Sequence, residues 1–261
     1  MLAAFVAVAS GCAAAPEKRT LYDLCAQGVH RTSEGTLRVC AQLNETTLAE
    51  VERQLVPEDR EIVLTSGGGP SGPAMDFARL LNERRITVRA RQFCLSACAT
   101  YVLLTAERVV VEPNAVVAFH HTAAFTLDLM AYRAGLPGDA PARDPGLAER
   151  AFFRTAGLDE KLLDRLAVAV DPICVGTRTT AAGREAYLNY RWAWFTPSRS
   201  EAESLFRGRL SGYWPASRDE VQPILRATLG NDRLNVRYGW PEFGETDPAV
   251  FAATLPNCDG D

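Results

Sequence analysis

Two side chains in this sequence have the types that nucleophilic catalysis needs. Ser96 opens the run SACATYVLLTA, and His120 closes the run PNAVVAFH. A serine hydroxyl is a weak nucleophile until a base takes its proton, and imidazole is the usual base near neutral pH. A third segment, Ser66-Gly67-Gly68-Gly69-Pro70, follows a short apolar stretch. Glycines there let the backbone turn sharply and bring N–H groups close to a ligand. Ser96 would attack a carbonyl and His120 would accept the proton. The amides of Gly69 and Ala97 would hold the developing oxyanion, the latter at the positive end of a helix dipole.

These residues need a scaffold that brings distant segments together. Leu37 to Leu43 alternates and reads as a strand. Thr47 to Glu50 has the form of a capping box, so a helix follows. Ile62 to Thr65 is a short apolar strand that runs into the glycines. Ser71-Gly72-Pro73 opens a helix with Ala74, Ala78 and Leu81 inward, and Ile86 to Ala90 is the next strand. Residues 96–106 are apolar on every side, which marks a buried helix. Arg108 to Val111 and Ala115 to Phe119 read as two strands around a Pro113-Asn114 turn. The order β-α-β-α-β-α-β-β implies an α/β fold with a largely parallel sheet and right-handed crossovers. Strand C-termini are where sites assemble in such sheets.

Residues 135–146 are rich in Pro and Gly and read as an exposed loop. Two helices are expected after it, Leu147 to Ala156 and then one capped by Asp159 that ends near Val170. Ser217 to Glu220 reads as another capping box. The division expected is a leader over 1–12, a tether over 13–35, a main domain over 36–210 and a C-terminal helical extension over 211–261.

The 261 residues carry a net charge of −4 with both signs well mixed. That pattern argues against a nucleic-acid surface. Residues 1–11 are apolar or small, too few to span a bilayer but suited to an export signal. Ala9-Ser10-Gly11-Cys12 resembles a lipobox, with Cys12 as the lipid-bearing residue and the periplasm as destination. Setting Cys12 aside leaves Cys25, Cys40, Cys94, Cys98, Cys174 and Cys258, enough for three disulfides in an oxidising compartment. Cys25–Cys40 is favoured as a local pair; Cys94 and Cys98 pair with each other or with Cys174 and Cys258. The spacings lack paired C-x-x-C units, so no metal site is expected.

The segments Thr65 to Gly69, Ser96 to Ala106 and Pro113 to His120 resemble the core of Clp-type serine proteases of the Clp/crotonase superfamily. Cys94-Leu95-Ser96-Ala97-Cys98-Ala99 is similar to a segment of exported Clp-like bacterial proteins. The resemblance spans about residues 37–171. It implies a spiral of ββα units and carries Ser96 and His120 over as catalytic, with Gly69 and Ala97 as oxyanion donors. It also implies a peptide or protein substrate, no cofactor and self-association into a homo-oligomer. Gly67 stands where the family has a loop proline. The family's third member, an Asp, has no counterpart near Arg191 or Trp192. Counting along the preceding helix reaches Asp171, with Asp128 and Asp164 as alternatives. His121 as the base and Cys98 as the nucleophile are the competing assignments. Other function classes left open are a catalytically inactive Clp-like module for envelope interaction or assembly, and acyl-thioester chemistry on the same oxyanion geometry.

Overall fold

The computed structural model describes residues 25–180 and 183–258. The leader, Cys12 and residues 13–24 of the tether lie outside them. The remainder of the tether is structured: β1 (Gly28–Arg31) pairs antiparallel with β2 (Leu37–Cys40) at one edge of a seven-stranded sheet. A disulfide from Cys25 to Cys40 fastens it there.

Helix α1 (Glu45–Gln54) starts at Asn44, whose side chain accepts from the Thr47 amide at 2.9 Å. The cap therefore lies three residues before the expected Thr47. Asn is among the strongest N-caps, and the Thr47 hydroxyl is engaged elsewhere, donating to the Gln42 carbonyl at 2.8 Å. Strand β3 (Glu61–Ser66), helix α2 (Ser71–Glu83) and strand β4 (Thr87–Leu95) follow. Ala74, Phe77, Ala78 and Leu81 form the buried stripe of α2.

Strand β4 continues well past Ala90, where the sequence reading ended it. Gln92 has φ +57, a left-handed kink in mid-strand. On one side of the kink Val88–Ala90 pairs parallel with β5 (Val109–Val111). On the other, Phe93–Leu95 pairs parallel with β6 (Val116–Ala118). One strand thus serves two partners, and its second half delivers Ser96. Between β4 and β5 lies a helix whose segment Cys98–Leu103 is a π-helix, buried at all six positions. Burying each large apolar side chain there contributes about 1.5–3 kcal/mol.

Helices α3 (Ala123–Arg133), α4 (Asp144–Thr155) and α5 (Lys161–Ala169) pack on this core. Helix α4 begins earlier than Leu147, inside the segment expected as loop, with Pro145 in its first turn. A Cβ on Gly146 would lie 3.0 Å from Ala124 Cα, so the glycine permits α4 to close on α3.

The antiparallel hairpin β7 (Pro172–Thr180) and β8 (Gly183–Tyr190) comes next. Strand β9 (Trp194–Thr196), helix α6 (Arg199–Leu205), strand β10 (Leu210–Gly212), helix α7 (Arg218–Leu229), strand β11 (Val236–Tyr238) and helix α8 (Pro248–Thr254) complete the chain. The fold is α/β with a largely parallel central sheet, β2, β3, β4, β5 and β10 running parallel.

The expected boundary at residue 211 falls inside β10, the edge strand beside β5. The C-terminal segment is neither separate nor purely helical. Strand β11 pairs with β9, α8 packs on α3, and Cys258 is disulfide-bonded to Cys174. Glu220 accepts from the Ala216 amide at 2.8 Å and from the Tyr213 hydroxyl at 3.2 Å, and Ser217 makes no side-chain cap bond.

Candidate active site

The register of β4 against β6 sets the site. Leu95 lies opposite Ala118, and the Ser96 amide donates to the Ala118 carbonyl at 3.0 Å. Each strand then continues by one or two residues, to Ser96 on one and His120 on the other. Residues 24 apart in sequence meet there: Ser96 Oγ is hydrogen-bonded to His120 Nε2.

Ser96 occupies a sharp turn between strand and helix with φ +55. A serine in that region stores about 1–3 kcal/mol of strain, which the surroundings must hold. They do so at both ends: the amide is bound to β6, and the Ser96 carbonyl accepts from Thr100 at 2.9 Å. The Cys94–Cys98 disulfide spans the turn. It also removes Cys98 as a thiolate nucleophile, since its sulfur is bonded.

The glycine loop crosses directly over this turn. Gly68 has φ +92, and a Cβ there would lie 2.7 Å from Ser96 Cβ and 2.8 Å from the Ala97 amide nitrogen. The loop is held on its other side by the Leu43 amide, which donates to the Gly68 carbonyl at 2.8 Å. The next residue, Gly69, borders the same cavity as Ser96 and Ala97. Among the described residues neither the Gly69 nor the Ala97 amide donates a hydrogen bond. Two free donors beside a serine hydroxyl are what an oxyanion needs.

His121 is not turned away from the site. Strand β6 ends at Ala118, so the period-2 alternation that would send adjacent residues to opposite faces no longer applies at 120 and 121. His120 Nδ1 lies 3.0 Å from His121 Nδ1. One of the two must donate. For His120 Nε2 to accept the serine proton, His120 carries its proton on Nδ1 and donates it to His121. His121 in turn stacks on Tyr190 with centroids 4.9 Å apart, and the edge of Trp194 meets His120 at 5.1 Å. The hairpin end and the start of β9, which sequence reasoning did not resolve, thus back the two imidazoles.

Asp171 is not the orienting acid. It sits after α5 with φ +56, and its carboxylate pairs with the Arg191 guanidinium at 3.0 Å. The backbone of the same two residues is also joined, Arg191 N–H to Asp171 carbonyl at 2.9 Å. Asp128 and Asp164 are taken up by Arg143 and Arg150 in a buried network. The physical reason is the same for all three: each aspartate has an arginine within reach, and a charge-assisted ion pair outcompetes a neutral imidazole. His121→Ala is expected to lower kcat about 10²-fold with little change in KM, within the range for loss of aligned proton transfer. His121→Asn, which keeps an acceptor, should recover part of the loss. Asp171→Asn should stay within about twofold, as for an exposed ion pair. Steady-state kinetics on the three variants checks the assignment, and an Asp171→Asn loss as large as that of His121→Ala overturns it.

Burial, and then the neighbouring His121, push the His120 imidazole down to about 3. His121 is the more exposed of the two, and the protein packed around its ring lowers its pKa as well. Both rings are therefore neutral near pH 7, the state a general base requires. Activity is lost where His120 gains a proton, and that point is displaced to lower pH. The acid limb of kcat/KM is expected below the ordinary value of 6.5. A pH–rate profile with its inflection at or above that value contradicts the geometry.

No family model matches the chain, and no curated protein matches it. Among solved structures it is similar to ClpP1 from Listeria monocytogenes, at 16% identity and a TM-score of 0.38, over 69% of this chain and 90% of that one. It is similar to an alanine variant of a membrane-bound stomatin-specific protease, at 12% identity and a TM-score of 0.35, over 77% and 94%. An enoyl-CoA hydratase/isomerase from Marinobacter aquaeolei is matched at 14% identity and a TM-score of 0.30, over 77% and 74%. At such scores these likenesses carry no weight for the site, whose reading rests on the contacts above.

Proposed function

We propose that this chain is a serine hydrolase, most simply a peptidase, that acts in the cell envelope after export. The observation that carries the proposal is the hydrogen bond from Ser96 to His120 Nε2, with the opposite ring nitrogen held by His121. A structural serine or a core histidine needs no such chain of three.

The chemistry runs as acyl transfer. Ser96 Oγ attacks the carbonyl carbon while its proton passes to His120 Nε2. The carbonyl π pair moves onto oxygen, where the Gly69 and Ala97 amides stabilise the charge. Collapse breaks the bond to the leaving amine, which takes the proton from His120. Water then attacks the acyl-serine with His120 again as base, and the acid and free serine result. His121 remains neutral and holds the His120 ring by its Nδ1 proton.

Three disulfides among the described residues, Cys25–Cys40, Cys94–Cys98 and Cys174–Cys258, support the exported reading, since such bridges persist in oxidising compartments. The apolar leader ending at Cys12 supports a lipid anchor in the periplasm. Membrane fractionation of wild type and Cys12→Ala tests it: release of the variant into the soluble periplasm is the expected result.

A fluorophosphonate probe tests the enzyme. Wild type is expected to gain one adduct on the peptide bearing Ser96, and Ser96→Ala none. A folded wild-type protein that takes no label would instead be a binding module.

A further inference from the structure

We infer that the cavity beside Ser96 is a specificity pocket for a basic side chain, lysine or arginine, on the acyl side of the bond cleaved, with Glu149 as its counter-charge. The inference rests on the hydrolase reading above and deepens it. The cavity holds about 330 Å³ and is shared by Ser96, His120, Gly69 and a polar wall that includes Ser71, Tyr101 and Glu149. The carbonyl position at Ser96 and Gly69 and that wall border one cavity, so a single substrate residue can reach both.

Glu149 is fully buried. One carboxylate oxygen, Oε2, accepts from the Ala124 amide at 2.8 Å in the first turn of α3. The other, Oε1, is buried without a hydrogen bond of good geometry. The Tyr101 and Ser71 hydroxyls are close enough to pull the carboxyl's pKa down, yet burial outweighs them and pushes it up. Among the described residues no lysine or arginine is ion-paired with Glu149. Its chain neighbour Arg150 is committed to Asp128 and Asp164.

A role as helix cap accounts for Oε2, while at Oε1 the Tyr101 and Ser71 hydroxyls approach without closing a hydrogen bond of good geometry. A buried acceptor without a partner is costly, and more so when it is charged. A cation arriving through the cavity offsets that cost and favours the ionised carboxylate. Hydroxyl oxygens of Ser71, Thr100 and Thr126, which also border the cavity, can accept the remaining N–H groups of an ammonium or guanidinium.

The test uses peptidyl aminophosphonate diphenyl esters that differ only in the side chain at the reactive position, with labelling of Ser96 read by mass spectrometry. The lysine and arginine probes are expected to label wild type more than about tenfold faster than the leucine probe, the size set by a charged hydrogen bond. Glu149→Gln is expected to remove most of that ratio. The wild-type ratio decides the matter even where the variant does not fold. Labelling by the small fluorophosphonate, with basic probes no faster than leucine, overturns the pocket and leaves the hydrolase standing. A folded wild type that no probe labels overturns both.

Discussion

Replacing His120 with Ala is expected to lower kcat by about 10⁴- to 10⁶-fold, with Ser96→Ala and the double variant no worse than either single change. The reason is that the two side chains act as one unit. Without the imidazole the Ser96 hydroxyl loses the hydrogen-bonded base that takes its proton. Without the hydroxyl the imidazole has nothing to activate. The free amides of Gly69 and Ala97 survive both changes, so about 10³-fold catalysis over water should remain. Steady-state rates on the best peptide found with the probes above give the comparison. Costs that add in the double variant, or a His120→Ala enzyme within tenfold of wild type, would falsify the unit. The turn supplies a structural control. Ser96→Gly should be as inactive as Ser96→Ala but more stable than it by about 0.4–1 kcal/mol or more, since φ +55 suits glycine and strains alanine.

The three segments that carry this chemistry were legible because each has a local signature. Glycines in a row, a serine before a helix with no polar face, and a Pro-Asn turn before a β-branched run all express short-range physics. Their meeting was legible only through the order of strands. What was lost depends on contacts that no local pattern encodes. The sequence points to an aspartate as the orienting group, and only the fold sets an arginine beside each candidate. Strand alternation turns His121 away from His120, but that rule stops where the strand stops, and β6 stops two residues short of His120. The β7–β8 hairpin has no clear sequence signature because much of it is polar. Its Thr177, Thr179 and Thr180 carry β-branching without an apolar stripe, and a two-stranded ribbon needs no buried face along its whole length. The cap of α1 is ambiguous in sequence because Thr47 and Asn44 both have capping side chains, three residues apart. The edge strands β1 and β10 are three or four residues long, too short for periodicity to declare them.

Asp128→Ala is expected to destabilise the fold by about 3–5 kcal/mol, the cost of stranding a buried charge. Asp128 is 3% exposed and lies on α3 where α4 and α5 meet it. Its Oδ1 accepts from Arg143 at 2.7 Å, just before α4, and its Oδ2 from Arg150 within α4 at 2.8 Å. Arg150 reaches on to Asp164 in α5 at 2.6 Å. Burial works against the Arg150 charge, but the two aspartates outweigh it and hold its pKa above the ordinary value; for Asp164 burial pushes the carboxyl up while Arg150 opposes it. Alanine at 128 leaves the Arg143 guanidinium with the Tyr132 hydroxyl at 3.5 Å as its remaining hydrogen-bond partner, and leaves Arg150 with one carboxylate for two positions. Asp128→Asn keeps an acceptor and should cost less, about 1–3 kcal/mol. The exposed pair Arg79–Asp76 on α2 is the control, since breaking an i,i+3 surface pair is worth at most about 1 kcal/mol. Urea unfolding with unchanged m gives the three values directly. If Asp128→Ala unfolds at the same midpoint as Asp76→Ala, the network does not fasten α3, α4 and α5 to one another. The site would then have to be held by β4 and β6 alone, because Glu149 stands one residue from Arg150 on α4 and reaches the cavity only while that helix is pinned to the N-terminus of α3.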